Sequence, residues 1–125
     1  MRHLESALQK QVIGYIRLQY PHTLSFAVPN GGKRGKVEAS IMKAEGVLAG
    51  VSDILLFWHG GMGAIELKIG KNTESDYQKA FGARWLEIGG HYAVCRSLDD
   101  VISVMRAWGI PKAHQVTSTA SSGNQ

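Results

Sequence analysis

Residues 51–69 read VSDILLFWHGGMGAIELKI. Two short apolar runs of the kind that form strands, residues 51–58 and 64–69, flank a turn that contains Gly60 and Gly61. A Gly-Gly pair supplies the positive φ angles that two-residue hairpin turns need. The stretch therefore predicts a β-hairpin, and its two strands carry three charged residues: Asp53, Glu66 and Lys68.

The register of this hairpin decides where the three charged side chains point. With Gly60 and Gly61 at the tip, Asp53 faces Lys68 and Leu55 faces Glu66. Because side chains alternate along a strand, the three charged residues then share one face of the sheet. Asp53 and Glu66 become diagonal neighbours, roughly 7–8 Å apart at Cα.

Two carboxylates and an ammonium at one point suit a hard divalent cation with a water beside it. The alternative is that Asp53 is a strand-end cap and that Glu66 and Lys68 form a solvated ion pair on an exposed face. The pattern of the hairpin alone leaves both interpretations open.

Composition limits the class of protein. The chain has 125 residues, 44% of them hydrophobic, which predicts one globular domain with a single core. No apolar run approaches the roughly 20 residues that a membrane span requires, and residues 1–5 do not begin a signal peptide. We therefore expect a cytoplasmic protein, encoded by a bacterium or by a virus that infects one. The lone Cys95 predicts a small buried side chain and no internal disulfide.

Periodicity along the chain predicts the order helix, strand, short helix, strand, strand, helix, strand, helix. The first helix covers 3–19, with Leu4, Leu8, Val12 and Ile16 at helical spacing. The short helix covers 36–45, with Val37, Ile41 and Ala44 expected to face inward. Further elements are a strand over 24–28, a helix over 74–88, a strand over 91–96 and a last helix from about 98 to 108. This order predicts an α/β fold in which a mixed central sheet is flanked by helices on both faces. Residues 1–111 form the domain, and 112–125 are a flexible Ser/Thr-rich tail.

A basic loop follows the first strand. The net charge is +4, and three cations fall within a glycine-rich loop: Lys33, Arg34 and Lys36. Such a loop can approach a phosphate backbone closely, whereas the simpler interpretation is a solvated loop. A nucleotide-binding P-loop is excluded, because it would need Gly at position 30 and a hydroxyl at 37, where the chain has Asn30 and Val37.

The motifs together resemble a known family. They are Glu5, Pro29-Asn30-Gly31-Gly32-Lys33-Arg34, residues 46–53 (GVLAGVSD), Glu66-Leu67-Lys68, Gln78, Trp85-Leu86 and Gly89. In this order they resemble a VRR-NUC domain of the PD-(D/E)xK nuclease superfamily, over about residues 3–108. One departure is Ser52, where the family often has proline, and serine leaves the backbone before Asp53 less restricted.

The resemblance implies a restriction-endonuclease-like core and a role for each matching residue. The metal ligands would be Asp53 and Glu66, completed by Glu5 and by the backbone carbonyl of Leu67, with Mg²⁺ or Mn²⁺ as cofactor. The catalytic set would be Asp53, Glu66, Lys68 and Gln78, in which Lys68 orients the attacking water and Gln78 supports the site. The contacts to DNA would come from Asn30, Lys33, Arg34 and Lys36. Without the resemblance, Glu5 would be a carboxylate favoured by the helix dipole and Gln78 a solvated helix residue.

The resemblance also predicts the activity. We expect a metal-dependent, structure-selective DNA endonuclease that resolves Holliday junctions as a homodimer, since a two-fold symmetric junction needs two matched cuts. Two alternatives stay open: a nuclease for flap, nicked or single-stranded DNA, and a catalytically silent DNA-binding module. Whether Lys68 is a base or a positioning donor, and whether one or two metals bind, is also open.

Overall fold

The computed structural model describes residues 2–29 and 35–112, and side chains from residue 3 onward. Within these ranges the chain forms eight elements in the predicted order: α1 (Arg2–Gln19), β1 (Leu24–Ala27), α2 (Lys36–Ala44), β2 (Ile54–Trp58), β3 (Gly61–Leu67), α3 (Asp76–Glu87), β4 (His91–Cys95) and α4 (Leu98–Ala107). Residues 30–34 of the basic loop and 113–125 of the predicted tail lie outside the described residues.

The strands form one mixed sheet in the order β1-β2-β3-β4. The pairs β1–β2 and β2–β3 are antiparallel, and β3–β4 is parallel. The parallel pair is connected through α3, as a parallel pair must be, because its chain has to return along the full length of the sheet. The predicted fold class is confirmed.

The hairpin register differs from the prediction by two residues. Trp58 pairs with Gly61, so the turn residues are His59 and Gly60, and Gly60 takes the positive φ of +91°. Gly61 is a strand residue. Its missing Cβ makes room for the Trp58 ring, which would lie 2.6 Å from a Cβ there. Because the slip is an even number, every side chain keeps its face, but Asp53 comes opposite Glu66 instead of Lys68.

One face of the sheet is covered by α1 and α4 and contains the main hydrophobic core. Its members are at most 9% exposed: Leu8, Val12, Ile16, Tyr20, Ile54, Leu56, Ile65, Leu67, Cys95, Val101, Met105 and Ile110. Cys95 is a buried free thiol, as predicted. The first apolar residue of the α1 stripe, Leu4, lies beyond this core and is exposed.

The opposite face is covered by α3 over the β3–β4 half. Trp85 is buried there, and Gly82 lets the helix approach the Tyr92 ring, which would lie 2.7 Å from a Cβ on that glycine. Ala64 and Glu66 of β3 are buried under this helix.

The expectation for α2 was wrong. None of its residues is buried, and Val37 and Ile41 are 75% and 54% exposed. The spacing shows that Val37 and Ile41 share one side of the helix, but it does not show whether that side packs against the sheet. The main core is formed with α1 and α4, and α3 covers the β3–β4 half of the opposite face.

Among the described helices, none is both long enough and apolar enough to cross a membrane.

Candidate active site

The site lies where the start of β2 meets the end of β3. Asp53 immediately precedes β2, Glu66 is the sixth residue of β3, and Lys68 follows β3 directly. Gln78 stands in the first turn of α3, above the same sheet face. An antiparallel hairpin brings the beginning of one strand beside the end of the other, so residues distant from the turn meet.

Asp53 is held by backbone contacts on both sides. Its Oδ2 accepts a hydrogen bond of 2.8 Å from the Leu67 N–H, and its carbonyl oxygen accepts one of 2.8 Å from the Val28 N–H. The carboxylate is therefore fixed against β3, close to Glu66.

Glu66 is a carboxylate at a position that is 1% exposed. Its Oε2 accepts a hydrogen bond of 2.8 Å from Gln78 Nε2 and lies 3.4 Å from Lys68 Nζ. Its Oε1 is buried and has no hydrogen-bond partner among the described residues. Buried polar atoms are nearly always paired with protein, water or an ion, so this oxygen is available to contact a water or a cation.

Burial disfavours the charged form of both carboxyl groups. Burial, followed by the negative charge of Asp53, raises the pKa of Glu66 to about 7, although Lys68 counteracts part of the rise. Burial also raises the pKa of Asp53, against the lowering effects of the Leu67 N–H, of Lys68 and of a hydrogen bond with Glu66. A divalent cation between the two groups would remove the cost of holding both charged.

Both polar atoms of the Gln78 side-chain amide are hydrogen-bonded, Nε2 to Glu66 and Oε1 to the backbone of Ser75. Its Oε1 accepts a hydrogen bond of 2.8 Å from the Ser75 N–H, while Ser75 Oγ accepts one of 3.2 Å from the Gln78 N–H. This reciprocal capping box begins α3. Because the oxygen is engaged at the cap, the Nε2 group is directed towards Glu66.

Gly50, in the motif that precedes Asp53, allows a close backbone approach to the start of α3. It has a positive φ of +82°, and a Cβ there would lie 2.3 Å from the Tyr77 carbonyl oxygen and 2.8 Å from the Gln78 nitrogen. The glycine thus brings the segment before Asp53 against the helix that carries Gln78.

Tyr92 and Glu74 also belong to this region, and sequence reasoning missed both. The Tyr92 hydroxyl donates a hydrogen bond to Glu74 Oε2. Burial, then the hydrogen bond and negative charge of Glu74, and then the charge of Glu66 raise the pKa of Tyr92, which keeps the phenol protonated. Strand alternation could have placed Tyr92 on this face, but no local pattern pairs it with Glu74.

Apart from Leu67, the remaining predicted site residues show no hydrogen bond or ion pair with Asp53, Glu66, Lys68 or Gln78 in the described structure. Glu5 is half-buried on α1, and within the described residues no three His, Cys, Asp or Glu side chains are arranged to hold a metal. Lys36 is exposed at the start of α2, whereas Asn30, Lys33 and Arg34 lie outside the described residues. All the metal-ligand and catalytic roles, and all the DNA contacts, stay predictions.

The residues present fit a hard divalent cation. Two adjacent carboxylates, one with an unpaired oxygen, supply the oxygen ligands that Mg²⁺ and Mn²⁺ prefer. Magnesium keeps several waters and is commonly bound by one or two carboxylates, so a third carboxylate is not essential.

Comparison with known proteins was made by sequence and by structure. No protein-family model matches the sequence, and no curated protein is detectably similar to it. A solved structure described as a VRR_NUC domain protein is similar over 82% of this chain and 85% of that one, with a TM-score of 0.64 and 22% identity. The chain has the VRR-NUC fold. At this identity the likeness concerns the fold, so the chemistry has to be argued from the site itself.

Proposed function

We propose that this protein is a metal-dependent, structure-selective DNA endonuclease. The observation that carries the proposal is the buried Glu66 carboxylate, which has one oxygen unpaired and the other between an amide and an ammonium, beside a second carboxylate. The chain has a VRR-NUC fold, and this group of side chains lies at one end of its two central strands, where β2 begins and β3 ends. A catalytically silent DNA-binding module would have no need to bury the Glu66 carboxylate beside a second carboxylate.

The chain's own groups divide the work of phosphodiester hydrolysis. Asp53 and Glu66 would hold Mg²⁺ or Mn²⁺. When bound, such an ion neutralises a non-bridging phosphate oxygen and lowers the pKa of a coordinated water. Lys68, held 3.4 Å from Glu66, supplies positive charge and hydrogen-bond donors to the attacking water or the phosphate. Gln78 fixes the orientation of the Glu66 carboxylate.

The preferred substrate that we propose is a four-way DNA junction. The net charge of +4 suits phosphate contacts, which position a protein without reading sequence. Each chain carries one candidate site, and resolution of a junction requires two symmetric cuts, so the active form would be a C2 homodimer. A cytoplasmic location is part of the same proposal.

The test is cleavage of end-labelled junction, flap, nicked, duplex and single-stranded DNA with Mg²⁺, Mn²⁺ or EDTA. We expect nicks at symmetric positions in the junction and none in EDTA. Asp53→Asn should abolish cleavage while junction binding in Ca²⁺ is retained, because the substitution removes charge but not shape. Asp99→Asn, at an exposed acid in the first turn of α4, is the matched control and should cleave normally.

Each result has a distinct meaning. Cleavage in EDTA, or by Asp53→Asn, would contradict a metal-dependent site at Asp53. Preferred cleavage of flaps, nicks or single strands would support the proposed nuclease activity but contradict the proposed preference for four-way junctions. A monomer in sedimentation at micromolar concentration, with or without junction DNA, would argue against symmetric resolution.

A further inference from the structure

The start of α3 is held above Glu66 by a closed circuit of contacts. Glu66 accepts from Gln78, and Gln78 accepts from the backbone of Ser75. The next residue back, Glu74, accepts from the Tyr92 hydroxyl. Tyr92 stands on β4 directly opposite Ala64, two residues before Glu66 on β3, which closes the circuit through the sheet.

The geometry of this circuit makes the position of Glu66 depend on Tyr92. An amide group is planar, so when Gln78 Oε1 is placed by the Ser75 N–H, the direction of its Nε2 group is set as well. The location of that N–H depends on where residue 74 is held, since consecutive Cα atoms are only 3.8 Å apart. The Tyr92 hydroxyl fixes residue 74 to the sheet.

We propose that Tyr92 and Glu74 are positioning residues for Glu66, acting through Ser75 and Gln78. This inference rests on the proposed function for its catalytic consequence, but its structural part stands alone. Glu74 acts as a hydrogen-bond acceptor for Tyr92 and not through its charge. The pair keeps the Gln78 amide against Glu66 Oε2 and so holds the orientation of the carboxylate that would bind a cation.

Three variants separate this role from simple packing. Tyr92→Phe removes the hydroxyl and keeps the ring against Gly82. Glu74→Ala removes the acceptor, whereas Glu74→Gln removes the charge but keeps an acceptor oxygen. Tyr77→Phe is the matched control, because this tyrosine is 70% exposed in the first turn of the same helix and only its backbone meets Gly50.

The first readout needs neither metal nor DNA. The side-chain amide protons of Gln78 are recorded in a ¹H–¹⁵N spectrum of the metal-free protein and assigned by their absence in Gln78→Ala. Tyr92→Phe and Glu74→Ala should both shift these signals and increase the rate at which the amide protons exchange with water. Glu74→Gln and Tyr77→Phe should leave them at the wild-type positions.

The second readout is function. Outer partners of metal ligands typically contribute roughly 10–100-fold to metal affinity or activity. We expect about a tenfold loss of Mn²⁺ affinity by calorimetry, and of kcat on the best DNA substrate, in Tyr92→Phe and Glu74→Ala, with KM for DNA unchanged. The double variant should lose no more than either single variant, since both break one interaction.

Several outcomes would overturn the inference. Unchanged Gln78 signals in a folded Tyr92→Phe protein would make the hydroxyl merely structural. An equal loss in Glu74→Gln and Glu74→Ala would show that charge, not hydrogen bonding, is what Glu74 contributes. If the wild type cleaves no DNA with any metal, the proposed function fails, whereas the Gln78 signals and Mn²⁺ affinity still decide the positioning role.

Discussion

Ile65 and Glu66 are neighbours on β3 and are 0% and 1% exposed, yet they lie on opposite faces of the sheet. On the side of Ile65, α1 and α4 cover a continuous layer of apolar side chains. On the side of Glu66, α3 covers a carboxylate that accepts from the Gln78 amide, and the Tyr92 phenol, which donates to Glu74. These two neighbours are therefore equally buried, and what differs is the chemistry of their surroundings.

The two faces contribute to the molecule in opposite ways. Each buried aliphatic side chain stabilises the fold by about 1.5–3 kcal/mol. Burial of Glu66 beside Asp53 disfavours their charged forms, which is a cost to the metal-free protein. Strand alternation allows one β-strand to combine both roles, because adjacent residues never share a face.

The largest expected effect comes from Glu66→Gln. We expect a loss of DNA cleavage of about 1000-fold or more, equivalent to about 4 kcal/mol of transition-state stabilisation. The free energy of unfolding of the metal-free protein at pH 8 should stay equal or increase, since a buried charge is removed. Single-turnover cleavage and urea unfolding measure the two quantities.

Unfolding of the Glu66→Gln variant would contradict the contrast between a stabilising apolar face and a functional polar face. In that case Glu66 would belong to the structural core as much as Ile65 does, and its loss of activity would say nothing about chemistry.

The next largest effect is expected for Ile65→Ala, which should change stability and leave the chemistry unchanged. Truncating this buried side chain should lower the free energy of unfolding by roughly 2–5 kcal/mol, while kcat per folded molecule is unchanged. Ile41→Ala, on the exposed stripe of α2, is the matched control and should stay within about 0.5 kcal/mol of wild type. A loss of kcat in Ile65→Ala beyond the loss of folded protein would show that the faces are coupled.

The third prediction concerns pH. The folded pKa of Glu66 is about 7 against an ordinary value of 4.5, so the folded state binds the proton more tightly than the unfolded state does. The associated stability is fully present below about pH 4.5 and is lost as pH rises through about 7, by at most about 3 kcal/mol.

Urea unfolding in EDTA at pH 5 and pH 8 tests this dependence, with Glu66→Gln as the reference for all other titrating groups. The wild type should lose more stability than the variant between these values. Added Mn²⁺ should stabilise the wild type more at pH 8 than at pH 5, since a cation binds the deprotonated carboxylates. A wild type and variant with parallel pH profiles would contradict the raised pKa.

Sequence predicted the apolar face better than the site. Helical periodicity identified Leu8, Val12 and Ile16 as core, because burial repeats along an element. The lone Cys95 was correctly expected to be a buried thiol. The face shared by Asp53 and Glu66 was also predictable. A register error of two residues, which follows from placing the turn one residue too late, preserved it, although which glycine takes the positive φ was not evident from a Gly-Gly pair.

The rest depends on contacts that no local pattern encodes. No residue of α2 is buried, and the helical spacing of its apolar residues does not contain the information on whether the helix packs against the sheet. Glu74 and Tyr92 are 18 positions apart and meet only because β3 and β4 are parallel and α3 crosses between them. Sequence could mark Gln78 as a candidate, but not the capping box that directs its amide to Glu66.

The smallest expected effect is a difference in DNA cleavage between variants of two helix caps that have similar cap hydrogen bonds. Ser75 begins α3 and Ser97 begins α4, and each accepts from the backbone N–H three residues on, at 3.2 and 3.1 Å. Replacing either serine by alanine should lower the free energy of unfolding by about 1 kcal/mol, since the cap hydrogen bond is the same. Only Ser75→Ala should also reduce DNA cleavage, by a few-fold, because only its partner Gln78 holds Glu66.

Urea unfolding and single-turnover cleavage of both variants therefore measure what the site adds to an ordinary cap. Equal cleavage by the two variants would mean that Gln78 keeps its position without the cap hydroxyl, since the Ser75 backbone N–H still binds its Oε1.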